Sequence, residues 1–211
     1  MAQIKTKKDL LNKLRVYSVV PDDDSIRYKE IIKQALLHLP ELLYSLHEKE
    51  FESELFDKNG NLNVDDNGEP LGEWDRYFGD TSNIRPFLFF PDTQTDTRNY
   101  ICYQVGFDEI PDYNNIKKYT EITFTIFVNG KDTVDELTGI ARHDLIASII
   151  RERFNWSNIF GIQAKLISSK ESMTDNNYLV RTLVFRIVDT NGILNTPYNE
   201  DTTIINNGYW E

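Results

Sequence analysis

The sequence contains one cysteine, Cys102, and no apolar run that approaches the roughly 18 residues of a membrane-spanning helix. A single cysteine excludes a disulfide within the chain and indicates a reducing compartment. Because Cys102 stands in the middle of a predicted strand, we expect it to be a core residue. The polar, basic beginning of the sequence favours a protein that is not exported by a signal peptide.

The sequence also lacks the motifs of common catalytic centres. It has no Gly-x-Ser-x-Gly nucleophile elbow and no glycine-rich phosphate loop that ends in Lys followed by Ser or Thr. Its three histidines have no cysteine or carboxylate at the spacing of zinc ligands: His38, His47 and His143. We therefore expect no catalytic residue, no cofactor-binding residue, no metal ligand and no cofactor. His143 is predicted to be an exposed helix residue. Arg142, Arg151 and Arg153 are either salt-bridging rim residues or DNA-facing ones, and the negative total charge favours the rim.

One short segment resembles the opening of a calcium-binding loop. Residues 57–61 place oxygen-bearing side chains at alternate positions, beginning with Asp57. The match ends there, because the full loop requires a glycine where this chain has Leu62 and a glutamate where it has Gly68. The segment is therefore predicted to be an Asn-Gly turn.

Charge is distributed unevenly along the chain, which has a formal net charge of −11. This charge argues against nucleic-acid phosphate as the main partner, since phosphate binding needs clustered Lys and Arg. Residues 48–80 contain eleven acids and three bases, whereas residues 1–20 contain five bases and one acid. Two interpretations are open: both segments are solvated faces, or they are patches that contact neighbouring subunits of an assembly.

Periodicity predicts a strand, a helix and two further strands between residues 119 and 190. Apolar residues alternate from Ile122 to Val128, as is typical of a strand with one buried face. A helix is predicted to follow, with Thr133 and Glu136 as its capping box. Two extended runs, 162–168 and 178–188, complete the pattern. Sheet and helix are predicted to share one core, formed by Ile122, Phe124, Ile126, Leu145, Ile149, Leu183 and Phe185.

The first half of the sequence is predicted to form three helices, which begin near Thr6, Asp24 and Glu41. Asn-Gly pairs then predict an acidic hairpin or ordered loop at 57–72. Flanking prolines predict that Phe87–Phe90 is a short strand or an extended plug. Alternation over 99–107 predicts the first strand of the main sheet, paired with the strand near Tyr119.

These elements define an α+β fold, in which an antiparallel sheet is packed by a central helix and carries N-terminal helices and an extended C-terminal arm. We divide this single domain into the helices, hairpin and aromatic segment (1–97), the α+β core (98–190) and the arm (191–211). The arm contains Tyr209 and Trp210. It either folds back on its own subunit or docks on a neighbour.

The core resembles the neck proteins of tailed bacteriophages. The strand Tyr119–Val128 leads to Gly139-Ile-Ala-Arg-His-Asp-Leu-Ile146, followed by Phe160-Gly161 and the long run Tyr178–Phe185. This order is similar to the tail-terminator and tail-completion group of head-to-tail connector subunits, several of which pair a strand with an Arg-x-Asp-Leu-type helix and return through a long strand. The resemblance covers residues 98–190. The chain is also similar to the neck-ring proteins of crAss-like phages, which carry extra helical and arm segments.

The resemblance implies a non-enzymatic structural virion protein, a ring subunit that joins the portal and capsid to the tail around the DNA channel. The implied partners are further copies of the chain, other neck, portal and tail proteins, and DNA that passes without specific binding; no membrane is implied. The implied location is the virion, assembled in the host bacterial cytoplasm. Two alternatives are open: a metal-dependent nuclease or hydrolase, and a binding or assembly factor that never enters the virion.

Overall fold

The structure, a computed structural model, describes residues 6–17, 24–91, 98–107, 117–174 and 177–190. Within these ranges the chain forms five α-helices, one 3₁₀ turn (Trp74–Tyr77) and five strands. The helices are α1 (Lys7–Tyr17), α2 (Asp24–Leu37), α3 (Pro40–Ser45), α4 (Glu52–Leu55) and α5 (Arg142–Phe154). The strands are β1 (Ile84–Arg85), β2 (Tyr100–Phe107), β3 (Lys117–Asn129), β4 (Ala164–Met173) and β5 (Tyr178–Thr190).

The five strands form one sheet in the order β1-β2-β3-β5-β4. Antiparallel ladders join β2 to β3, β3 to β5 and β5 to β4, which confirms the predicted α+β class and the predicted pairing of the first two long strands. The two-residue β1 adds a parallel pair with β2, so the complete sheet is mixed. None of the helices in the described ranges has the length and apolar character that a membrane crossing requires.

Phe124 lies at the centre of the core between the sheet and the helices. Its side chain is fully buried. The centroid of its ring lies 5.0 Å from that of Phe154, 5.7 Å from that of Phe185 and 6.3 Å from that of Tyr103. These partners belong to α5, β5 and β2, so one residue of β3 contacts three other elements. Ring pairs at such separations add to the stabilisation that burial gives.

The predicted core is largely confirmed. Ile149 is partly buried and packs against the core cluster, but Leu145 is only partly buried and lies outside it. Five of the seven predicted residues are fully buried: Ile122, Phe124, Ile126, Leu183 and Phe185. The buried apolar face of α5 is instead formed by Ile146, Ile150 and Phe154, which are spaced four residues apart, together with Ala147.

The predicted capping box of Thr133 and Glu136 is wrong, because α5 begins only at Arg142. Upstream, the carboxylate of Asp135 accepts hydrogen bonds from the backbone N–H (2.9 Å) and the hydroxyl (2.8 Å) of Thr138. Such local side-chain hydrogen bonds compete with helix formation. The connection between β3 and α5 is therefore a series of turns.

The predicted N-terminal helices are present as α1, α2 and α3. Tyr28, Ile32 and Leu36 are spaced four residues apart on α2, are completely buried and face the sheet. The third helix is shorter than predicted, since α3 ends at Ser45 and Leu55 lies in the separate helix α4.

The acidic segment 57–72 forms two successive turns of the same kind. One carboxylate oxygen of Asp57 accepts the backbone N–H of Asn59 and of Asn61, each at 2.8 Å. One oxygen of Asp65 likewise accepts the N–H of Asn67 (2.8 Å) and of Glu69 (2.9 Å). These bonds confirm the predicted turn at Asp57. The predicted C-terminal arm lies outside the described residues.

The position of Phe124 generates a stability prediction. Replacing Phe124 with Ala should lower the free energy of unfolding by about 3–5 kcal/mol, because it removes a ring that three elements enclose. Urea unfolding followed by fluorescence measures this loss. Ile140→Ala is the control, since Ile140 is 46% exposed, and it should change stability by less than about 0.5 kcal/mol. Equal losses for both variants would contradict the proposed core.

Candidate functional site

Arg142, the first residue of α5, is buried where the N-terminal helices meet the core. Its guanidinium donates a hydrogen bond to the carbonyl oxygen of Ser45 (3.0 Å), the last residue of α3. It also lies 3.3 Å from a carboxylate oxygen of Asp132 and 3.5 Å from one of Asp135. A charge removed from water needs such partners, since its desolvation is costly. Arg142 therefore forms the ion pairs predicted for it, but inside the protein and not on a rim.

Asp132 is the main hydrogen-bond acceptor of this buried polar cluster. Its carboxylate accepts hydrogen bonds from Nδ1 of His47 (3.0 Å) and from the side-chain amide of Asn99 (2.8 Å). Burial alone would raise the pKa of Asp132. The hydrogen bonds from His47 and Asn99, together with the charge of Arg142, outweigh burial and hold the pKa below its ordinary value. Asp132 is thus ionised at neutral pH.

Asn99 connects the cluster to the sheet. Its side-chain amide also donates to the carbonyl oxygen of Leu46 (3.0 Å), and its side-chain oxygen accepts the backbone N–H of Asn129 (2.9 Å). Asn99 is completely buried, so these bonds replace those that water would make. The cluster consequently joins the end of α3, the start of β2, the end of β3 and the start of α5.

His47 is the member of the cluster that can change charge near neutral pH. It has a left-handed backbone conformation, with φ of 51°, just after α3. Its hydrogen bond to Asp132 outweighs the effect of burial and raises the pKa of the imidazole. A His–Asp pair can serve as a general base where it faces a substrate site. Here the pair links the segment after α3 to the segment after β3.

His143 is buried more deeply than His47, and its predicted exposure is wrong. It is 4% exposed, because the buried face of α5 is rotated from the predicted one and directs His143 towards β4. Its Nε2 lies 3.4 Å from a carboxylate oxygen of Glu171. Arg181 on β5 pairs with the same glutamate (3.4 Å) and with Asp144 (3.1 Å).

In the described ranges, no three His, Cys, Asp or Glu side chains converge as metal ligands. Cys102 is buried, as expected of a core residue, and burial raises the pKa of its thiol to about 11. The thiol is thus protonated at neutral pH, which makes it a poor nucleophile.

An aromatic segment, residues 87–90, lies across one end of the sheet face that is opposite the helices. Phe89 packs edge-on against Tyr100, with ring centroids 5.4 Å apart, and the guanidinium of Arg85 lies 3.8 Å from its centroid. Phe87 is 41% exposed and Phe90 68% exposed. The segment is outside the described strands, so the extended form of the prediction fits it better than the strand form.

An acidic groove of about 1120 Å³ lies between the end of α2, the two turns and the 3₁₀ turn. Leu37, Leu62 and Trp74 supply its apolar surface, and Glu69, Glu73 and Asp75 supply its carboxylates. Two cations also line it. The ammonium of Lys33 lies 4.7 Å from the ring centroid of Phe78, and Arg76 pairs with Glu54 at 3.0 Å.

A comparison with protein families relates the chain to phage proteins. Residues 38–187, most of the chain, match the model of the YomW family, so the chain belongs to the YomW family. This family is derived from Bacillus phage. No curated protein matches the chain. The matched range includes the whole polar cluster, whereas α1 precedes it.

The polar cluster has no signature in the sequence, because its members come from distant parts of the chain. His47 and Asp132 are 85 positions apart, and neither belongs to a local motif. The available signal was the Arg-His-Asp-Leu segment, which marked Arg142 as a residue of the phage-like core. It gave no indication of the partners.

The charge of His47 generates a pH prediction. Because its pKa is raised in the folded state, the stabilisation from protonated His47 is complete below its unfolded pKa of about 6.5 and is lost as pH rises through the folded pKa. The stability advantage of the native protein over His47→Asn should therefore be largest near pH 6 and shrink towards pH 9. Asparagine tolerates the left-handed backbone.

Urea unfolding of both proteins at each pH measures the difference. Asp132 does not disturb this window, since its depressed pKa removes stabilisation only as pH falls below about 4. His38→Asn is the matched control, because His38 is exposed at the end of α2. A difference in unfolding free energy that is independent of pH, or that grows towards pH 9, would show that protonation of His47 does not stabilise the fold.

Proposed function

We propose that this protein is a structural, non-enzymatic subunit of a tailed-phage virion. In this proposal it forms a ring in the neck, where it joins the portal and capsid to the tail around the DNA channel. The observation that carries the proposal is the order β3, α5, β4, β5 in a member of a phage-derived family. This order resembles that of several tail-terminator subunits, in which a strand is paired with an Arg-x-Asp-Leu-type helix and the chain returns through a long strand.

Exposed surfaces of different kinds support a role in assembly. The aromatic segment exposes Phe87, Leu88 and Phe90 within four residues, and contiguous apolar patches on a surface mark contact sites. Strand β4 ends the sheet within the described part of the chain, and an unpaired strand edge can contact another chain. Contacts between unlike patches on successive copies close into a ring when the rotation between copies allows it.

The buried polar cluster supports a static role for the N-terminal half. It fixes α3 to the sheet and to α5 through the charged hydrogen bonds of Arg142 and Asp132. A subunit that joins two assemblies can present its contact surfaces at fixed angles only when its layers do not move relative to one another.

The net charge of −11 is compatible with DNA passage through the ring. A wall with the same sign of charge as the phosphates repels the DNA backbone, so the DNA is not held by the channel. Partners in this proposal are therefore proteins: further copies, and other neck, portal and tail proteins.

Two measurements on the phage test the proposal. Mass spectrometry of purified particles should detect the protein at a fixed number of copies per particle, and particles assembled without it should yield separate heads and tails. We also expect the C-terminal arm, residues 191–211, to dock on a neighbour. Truncation after Thr190 should then weaken incorporation more than it lowers the melting temperature. Protein found only in the lysate, with heads and tails joined in its absence, would instead indicate an assembly factor outside the virion.

A further inference from the structure

Helix α1 presents an apolar stripe to water. Leu10 is 42% exposed, Leu11 44% and Leu14 53%. At 3.6 residues per turn these three side chains fall on one side of the helix. An isolated helix of eleven residues is only marginally stable in water, so α1 gains stability when this stripe is covered.

The rest of α1 is basic. Among residues 6–17, four bases accompany a single acid. Successive residues of a helix are rotated by about 100°, which places Lys7 on the same side as the leucines and Lys8 at the border of that side. A surface that covers α1 should therefore combine an apolar floor with carboxylates along its edge.

The acidic groove has this combination. Leu62 and Trp74 are half-buried and line it, and Glu69 and Glu73 are exposed beside them. The two cations that line the groove already have partners within the subunit. Lys33 lies over the ring of Phe78, and Arg76 forms an ion pair with Glu54. The surrounding segment, residues 48–80, has a net charge of −8 from eleven acids and three bases. The groove is thus complementary to α1 in both charge and polarity.

We propose that α1 of one subunit docks in the acidic groove of a second copy of the chain. Its leucines contact the apolar floor, and its lysines face the carboxylates of Glu69 and Glu73. Each copy carries both surfaces, and both are open in the structure of one chain. The contact joins two different patches, so it is repeated from copy to copy and can close into a ring. Its place in a phage neck rests on the proposed function, whereas the contact itself rests on α1 and the groove.

Mixing two variants tests this geometry directly. Leu14→Glu disables α1, and Leu62→Glu disables the groove. Each variant alone should remain monomeric, with the concentration needed for assembly raised by about tenfold or more. An equimolar mixture should form a one-to-one dimer and stop there, because each mixed pair has a single intact α1 facing a single intact groove. Native mass spectrometry reports the masses.

Two controls make the result interpretable. Ile140→Glu, at a residue 46% exposed and outside the groove, should assemble like the native protein. Because Leu62 is half-buried, Leu62→Glu could also disturb folding, so two charge-reversed double variants change only exposed residues. One combines Lys7→Glu with Lys8→Glu, and the other combines Glu69→Lys with Glu73→Lys. Either pair alone should block assembly, and both pairs in one chain should restore it. Assembly of the native protein should also weaken as salt is raised from 0.05 to about 1 M.

Several outcomes would overturn the proposal. One is a native protein that is monomeric at high concentration, which would favour α1 docking in its own groove. Another is an assembly that Leu14→Glu leaves intact, or a mixture that yields no dimer. Binding of the monomeric native protein, but not of Leu14→Glu, to anionic phosphatidylglycerol vesicles would assign α1 to a lipid surface. If the two variants form a mixed dimer but the protein is absent from purified particles, only the neck role is refuted. If the protein is present in particles but the variants form no mixed dimer, only this contact is refuted.

Discussion

The ion pair between Arg142 and Asp132 is the interaction on which the arrangement of the fold depends. Arg142 is 3% exposed and Asp132 11%, so loss of either partner would leave a charge inside the protein with too few hydrogen bonds. Their remaining bonds lead to α3 through Ser45 and to the sheet through Asn99. The hydrophobic core favours contact between helices and sheet in many orientations. The directional bonds of this cluster select one of them.

A fixed arrangement of layers is what gives the exposed surfaces a defined geometry. The acidic groove is built by α2 and the turns around Leu62, whereas the aromatic segment lies on the opposite face of the sheet beside Tyr100. If the layers could slide, the angle between such surfaces would vary, and repeated contacts would not close into one ring. The same cluster therefore supports both the fold and the proposed assembly.

Most of the fold could be predicted from the sequence because it follows local periodicity. Strand β3, with Phe124 at the centre, and the pairing of β2 with β3 have strong alternating patterns. The start of α5 could not be predicted, since the hydrogen bonds of Asp135 override an apparent capping box. The exposure of His143 was predicted wrongly for a different reason, since the buried face of α5 contains Ile146 and Ile150 and not Leu145. The polar cluster and the groove are formed by residues distant in sequence, so only their charge segregation was visible beforehand.

The proposed ring forms when two different surfaces of one rigid subunit contact each other from copy to copy. Cryo-electron microscopy of the purified full-length protein tests it most directly, since class averages reveal symmetry without any assumption about the contact. We expect a single rotational axis, an open centre wide enough for duplex DNA, and α1 density in the groove of the adjacent subunit. A twofold dimer with identical patches facing each other, or a monomer at every concentration, would contradict it.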